Sequence, residues 1–474
     1  MPTQPINIAG PAYETVLNQN AQQLINWYLE GDSSGGKFSY ILKPTPGLTS
    51  FSSITGDEVR GLLEHRGVLY AVVDDTFYSI DSAGTATSKG TINTISGQVR
   101  MSDSNDQIII VDGTNGYIYD VLDDTFEDIT DENFPSSPDD VTYQDGYFIV
   151  ISQTDHKFYL SAVAEGREWD GLDFASATAD ADRLVGCISD HREIWLFGTR
   201  TTEIWFNSGN VTFPFERRPG VLLHKGLAAR DSLVSIDNTL YWLANDDSGN
   251  STVVRASGYT PEVISSVAIS QAIEGYTTIS DATAYAYKNG AHEFYVLTFP
   301  TEKVTWVFDA LTQQWHQWQS LNGVTYGRHL SNCGAFVYGK HIVGDYSSGN
   351  IYYVDNSTYT DNSIGIKRVR RTQHTHSYDS YLSLYNLRVF IEPGVGLVSG
   401  QGSDPKIMMR VSKDGGHNWG TELWRDLGKA GVYGERVVWD QLGIAKSWTF
   451  EFVVSDPVNI NILGAVAYVE KEEK

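Results

Sequence analysis

Ser412, Asp414, Gly416 and Trp419 stand at the spacing S-x-D-x-G-x-x-W, inside the stretch Ser-Lys-Asp-Gly-Gly-His-Asn-Trp. At that spacing, known as an Asp box, the aspartate can accept hydrogen bonds from turn amides. Glycine permits positive φ, and the tryptophan packs beneath the turn. Such a device clips a hairpin and transfers no group. His374 and His376 would share one face of a strand, as two ligands of a metal would. No third and fourth ligand stands at a recognisable spacing, so the pair reads as a solvated strand end. No P-loop, G-x-S-x-G, G-x-G-x-x-G or H-E-x-x-H is present. Carboxylates are too many for one acid/base pair to be singled out. The sequence thus offers no catalytic, cofactor-binding or metal-ligating residue.

Two charge clusters remain. Asp120, Asp123, Asp124, Glu127, Asp128, Asp131 and Glu132 crowd one region. They read as a solvated sheet edge that blocks edge-to-edge association, or as an acidic rim or channel surface that repels DNA. Lys367, Arg368, Arg370 and Arg371 form a basic stretch, read as a domain junction pairing with acids; contact with DNA phosphate is the lesser reading. The formal net charge of −25 over 474 residues argues against a sequence-unspecific nucleic-acid binder, which would need basic patches. It is compatible with a surface past which DNA slides. Two cysteines, Cys187 and Cys333, give no disulfide framework and fit folding in a reducing cytoplasm. No signal peptide is visible in residues 1–20. No run of about 18 apolar residues exists, so no membrane insertion is expected.

Most of the chain is organised by one recurring unit, which carries the acidic cluster; the Asp box, the two histidines and the basic stretch lie beyond it. Ile194 to Phe197 is an apolar run, a turn covers Gly198 to Thr201, and Ile204 to Phe206 returns. The runs are short and rich in β-branched and aromatic residues, which predicts a hairpin. Neighbouring strand residues face opposite ways, yet Ile194, Trp195, Leu196 and Phe197 are all apolar, so the hairpin is expected to be covered on both faces. The unit recurs at Val68–Val73, Ile108–Val111, Tyr147–Ile151, Leu240–Leu243, Phe294–Leu297 and Ile342–Val343. Its period of about 45 residues is that of a four-stranded propeller blade. Seven units predict an all-β chain. A β-propeller of about seven blades over 59–362 follows an extended N-terminal arm with a closing strand (1–58), and a C-terminal β-sandwich occupies 363–474. Ala21, Leu24, Ile25 and Tyr28 predict one short amphipathic helix in the arm. Ser266 caps a second, with Ile269, Ala272, Ile273 and Tyr276 on one face.

In order along the chain, certain stretches resemble one family. They are Asn26-Trp27-Tyr28-Leu29-Glu30, Thr45-Pro46-Gly47-Leu48, Asp190-His191-Arg192-Glu193-Ile194-Trp195-Leu196-Phe197-Gly198 and Phe213-Pro214-Phe215-Glu216-Arg217, then Phe294-Tyr295-Val296-Leu297-Thr298-Phe299-Pro300, Gly339-Lys340-His341-Ile342-Val343-Gly344-Asp345, Gly400-Gln401-Gly402-Ser403-Asp404-Pro405 and Ser455-Asp456-Pro457-Val458. The chain is similar to the packaged-DNA-stabilisation proteins of short-tailed bacteriophages, tail accessory factors of the tail nozzle or hub. The resemblance implies a virion structural protein of the tail and no enzyme. It implies a homo-hexamer on the portal–adaptor ring that closes the head after packaging and forms the ejection conduit. Genomic DNA would pass through it without sequence-specific binding. Tail fibres or tailspikes and a needle or plug protein are the further partners it implies, and no cofactor. The competing expectation is a propeller glycosidase or glycan-binding tail protein, because Asp boxes occur in sialidases.

Overall fold

A computed structural model describes residues 3–14, 22–31, 39–177, 182–246, 248–377 and 380–472. Among the described residues, seven four-stranded antiparallel units follow one another around an axis. Six of them span 59–91, 100–128, 138–176, 184–223, 234–263 and 283–318. The seventh takes three strands from 331–355 and its outermost strand, Gly47–Ser53, from the N-terminal region. That strand pairs antiparallel with Asn350–Asp355, so the ring is closed by two segments some 300 residues apart.

The doubly apolar runs have a direct explanation in the packing between blades. Ile194 and Leu196 enter the core shared with the third blade, while Trp195 and Phe197 enter the core shared with the fifth. All four are buried. Each of the other middle strands divides its side chains the same way. The seventh blade closes on the first through Val337, Ile342 and Ile351 against Val59, Leu69 and Ala71. The helix Val267–Glu274 is capped by Ser266, whose hydroxyl accepts from the Ile269 N–H at 3.3 Å. It buries Ile269 and Ile273 against the fifth and sixth blades.

The sandwich packs two sheets around a core that includes Trp27, Trp439, Trp448, Phe450 and Phe452. Its strands come from both ends of the chain. Thr3–Ile6, Trp27–Gly31 and Tyr40–Pro44 join one sheet; Gln23–Ile25 joins the other beside Arg368–Arg371. The N-terminal region is therefore built into both units. Gln23–Ile25 also bridges to the outer strand of the sixth blade, so one sheet runs without interruption from propeller to sandwich.

The helix expected around Leu24, Ile25 and Tyr28 is absent, and this corrects the sequence reading; Ala21 lies outside the described residues. Two short strands stand there, separated by Asn26 at φ 56°. Every residue from Leu24 to Leu29 is buried, so the apolar spacing came from coverage on both faces and not from a helical stripe. The Asn26 side chain donates to the Gln319 and Lys367 carbonyls at 2.9 and 2.8 Å and accepts from the Gln319 N–H at 2.9 Å. Three bonds to two different units hold that kink.

Candidate functional site

The propeller axis is the first place to look for a conduit, since the innermost strand of every blade faces it. It holds a cavity of about 500 Å³, lined by the inner strands of the first, second, fifth, sixth and seventh blades. At one end a charged network bridges the axis. Arg230, just ahead of the fifth blade's inner strand, donates to the Asp139 carboxylate at 2.8 Å and carbonyl at 2.7 Å in the third blade. Its other amino group reaches the Gln98 carbonyl ahead of the second blade at 3.3 Å. Arg100 pairs with buried Asp140 at 2.8 Å, and Asp140 also accepts from the Cys187 N–H at 2.9 Å. Burial would lower the Arg230 pKa, but Asp231 and Asp139 raise it, so the cation persists. One arginine side chain spans from the fifth blade to the second and third.

The acidic cluster lies elsewhere. Asp120, Asp123 and Asp124 sit at the turn into the second blade's outermost strand, Thr125–Asp128, which carries Glu127 and Asp128; Asp131 and Glu132 follow in the next loop. None of the seven lines the axial cavity. Several are held by neighbours on either side. Asp124 binds Lys89 of the first blade at 2.6 Å, and that bond lowers its pKa. Arg167 of the third blade reaches Glu127 and Asp120. Asp131 accepts the Asn133 and Trp169 backbone N–H groups, which lower its pKa. Asp123, Glu127, Asp128 and Glu132 remain exposed on the propeller's outer edge.

Charge is divided between the two units. Residues 1–362 carry 46 acidic against 20 basic side chains, and residues 363–474 carry 13 against 14. The whole net charge thus belongs to the propeller and the segment before it.

The basic stretch forms the joint between the units. Lys367 is half-buried, with its ammonium 5.1 Å from the Tyr326 ring centre. Arg368 and Arg370 are fully buried, which removes both from any DNA surface. Arg368 donates to the Asp456 carbonyl at 3.0 Å. Arg370 donates to the carbonyls of Ile8 at 2.7 Å, Gly10 at 2.9 Å, Asn7 at 3.3 Å and Gln23 at 3.4 Å. Burial lowers both guanidinium pKa values to about 10. Arg371 pairs with buried Glu451, as does Arg410.

The Asp box sits on that pair. Ser412 accepts from the Gly416 N–H at 2.9 Å and donates to Asp414 at 2.7 Å; Asp414 accepts from the Asn418 N–H at 2.9 Å. The Asn418 N–H bond holds the Asp414 carboxyl well below the usual range. Gly415 and Gly416 both take positive φ. The guanidiniums of Arg371 and Arg410 lie 5.2 and 5.7 Å from the Trp419 ring centre. His374 and His376 are in ring contact at 5.0 Å, and no group of three metal-ligating side chains occurs among the described residues. Sequence reasoning missed the Arg230 network, because its partners lie 91 and 132 residues away and no local pattern marks them.

Comparison with known families decides the identity. The model described as "Bacteriophage P22 Gp10, beta-propeller" matches residues 12–359, and "Bacteriophage P22 Gp10, beta-sandwich" matches 367–470. The chain belongs to the bacteriophage P22 Gp10 family. It is a phage stabilisation protein, and its propeller-plus-sandwich fold is that of the family. A comparison with curated proteins finds no match. Among solved structures, BamB from Moraxella catarrhalis is 10% identical, with TM-score 0.40, over 65% of this chain and 99% of that one. The computationally designed Ika8 protein is 12% identical, with TM-score 0.38, over 71% and 100%. PorZ of Porphyromonas gingivalis is 8% identical, with TM-score 0.38, over 72% of this chain and 45% of PorZ.

Proposed function

We propose that this Gp10-family protein is a structural, non-enzymatic component of the phage tail that closes the head after DNA packaging. In this reading several copies, six by the resemblance, form a ring on the portal–adaptor surface, and the ejection conduit runs between copies. The observation that supports this reading is the Arg230 bridge: one side chain joins the fifth blade to the second and third, so DNA would take some other path. A ring of copies supplies one, and surplus negative charge on the propellers lets DNA slide without sticking. Tail fibres or tailspikes and a needle or plug protein would occupy the faces left free.

The charge also bears on assembly. Six copies would concentrate about −150 formal charge, which opposes association in free solution. A preformed portal–adaptor surface offsets this and supplies the symmetry. Purified protein is therefore expected to sediment mainly as monomer at low salt and to become ring-like on portal-bearing heads. Phage lacking the gene are expected to package DNA and then lose it, leaving empty heads without complete tails. Filled, stable, fully tailed particles from that deletion would remove the assignment; a stable free hexamer would remove only the dependence on docking.

A further inference from the structure

We propose that the Asp-box turn and a β-bulge facing it build a saccharide-binding cleft on the sandwich, one that holds a neutral hexopyranose unit of a polysaccharide without cleaving it.

The cleft has a volume of about 460 Å³, within the range of small-molecule sites. Two independent backbone devices converge on it. One wall is the Asp-box turn, with Lys413, Asp414, Asn418 and Trp419. The opposite wall carries Gln441 and Leu442 of the strand Val437–Ala445. Pairing of that strand with Tyr381–Ile391 slips between Leu384 and Asn386, Gln441 sits at φ 57° and Gly443 at φ 91°. Bulges of this kind re-aim side chains, and this one turns a glutamine and a leucine toward the Asp box.

The lining selects a ligand class. Val411, Leu423 and Leu442 are half-buried, so the floor is apolar and uncovered. Trp419, half-buried, adds an indole that stands beside the Arg371–Glu451–Arg410 arrangement. Around this apolar surface stand amide, hydroxyl and charged groups on Asn418, Gln441, Thr421, Lys413 and Asp414, with donors and acceptors interleaved. The Asn418 amide already donates to Asp414 at 2.7 Å, so the exposed Gln441 and Thr421 side chains are the rim groups left to bond a guest, and a polar guest with hydroxyls suits them better than a purely apolar one. An anion would meet Asp414, and a cation would meet Lys413. A pyranose ring fits both parts, because its C–H face packs on an indole while its hydroxyls alternate as donors and acceptors. Hydrolysis would require two carboxyl groups flanking the bond, one of them protonated. Among the described residues Asp414 is the single carboxylate lining the cleft, and its bonds keep it ionised.

The test uses the full-length protein and saturation-transfer difference NMR. The probes are the methyl β-glycosides of glucose, galactose and N-acetylglucosamine. At least one should receive saturation on its ring C–H protons, with a Kd of about 1 mM, and none should be cleaved. Trp419→Ala should weaken that binding by about tenfold or more. Thr421→Arg, at an exposed position beside the cleft, should do the same by obstruction while leaving the Trp419 packing intact. No transfer to any of the three glycosides would overturn the proposal, as would transfer that persists unchanged in Thr421→Arg.

Discussion

Replacing Arg370 with alanine tests how the N-terminal segment is held. The guanidinium is fully buried, and four backbone carbonyls, those of Asn7, Ile8, Gly10 and Gln23, accept its hydrogen bonds. Bonds to a charged donor contribute about 1.5–3 kcal/mol each; the two short ones, to Ile8 and Gly10, set the scale at about 3–6 kcal/mol. Truncation leaves those carbonyls buried and unpaired unless the segment leaves its groove and water reaches them. Detachment is the cheaper response. It gives up the burial of Ile6 and Ile8 but recovers the conformational entropy of the ordered residues. The cost is thus confined to residues 3–12. Hydrogen exchange should show protection of the strand Thr3–Ile6, which pairs with Ala465–Tyr468, falling at least about 100-fold, close to 3 kcal/mol. Propeller amides should keep theirs. Protection of residues 4–8 that stays within about threefold of the parent would show that Ile6 and Ile8 hold the segment without the arginine.

Trp195→Ala should cost about 3–5 kcal/mol, because Trp195 fills the core between the fourth and fifth blades; denaturant melts showing under about 1 kcal/mol would refute that. Burial lowers the pKa values of His316 and His329 to about 3 and raises that of Asp361 to about 7. From pH 6.5 down to about 4 the unfolded chain gains both histidine protons, which costs stability as pH falls. Folded Asp361 already holds a proton there that the unfolded carboxylate lacks, which works the other way. The net from these three groups is a loss of about 1.4 kcal/mol per pH unit on acidification. Asp361→Asn should steepen it to about 2.7 kcal/mol per unit; equilibrium melts at stepped pH measure both slopes, and an unchanged slope in the variant would exclude the buried carboxyl from the balance.

The blades were legible because their signal is local and doubled. Four consecutive apolar residues at 194–197 state that both faces are covered, and the runs at 69–73, 108–111, 148–151, 240–243 and 294–297 repeat it. The Asp box was legible for the same reason, since its bonds join residues within one turn. The same double coverage misled the reading of Leu24 to Tyr28, where helical spacing arose by accident in a buried strand pair broken at Asn26. The basic stretch was found, yet its chemistry was not. Nothing in Lys367 to Arg371 shows that one guanidinium would face backbone carbonyls of residues 7–10. The axial bridge and the bulge at Gln441 depend on partners brought together only by the closed ring and the paired sheets.

The weave of the two ends has a consequence for assembly. Ring closure needs Gly47–Ser53 beside Asn350–Asp355, and the joint needs Gln23–Ile25 between the sixth blade and Arg368–Arg371. That strand in turn is flanked by Ser447–Val454. The N-terminal strands are made first and wait for partners made last, so the long-range pairings close late. A chain cut short before residue 447 can form individual blades but lacks the strand that covers Arg368 and Arg370. Two buried guanidiniums would then lie open, and the sheet joining propeller to sandwich would end at an unpaired edge. Defective subunits would thus be unable to present the two units in fixed relation. For a protein proposed to sit in a ring, where one misplaced copy would break the closure, that makes completeness of the chain a condition of joining it.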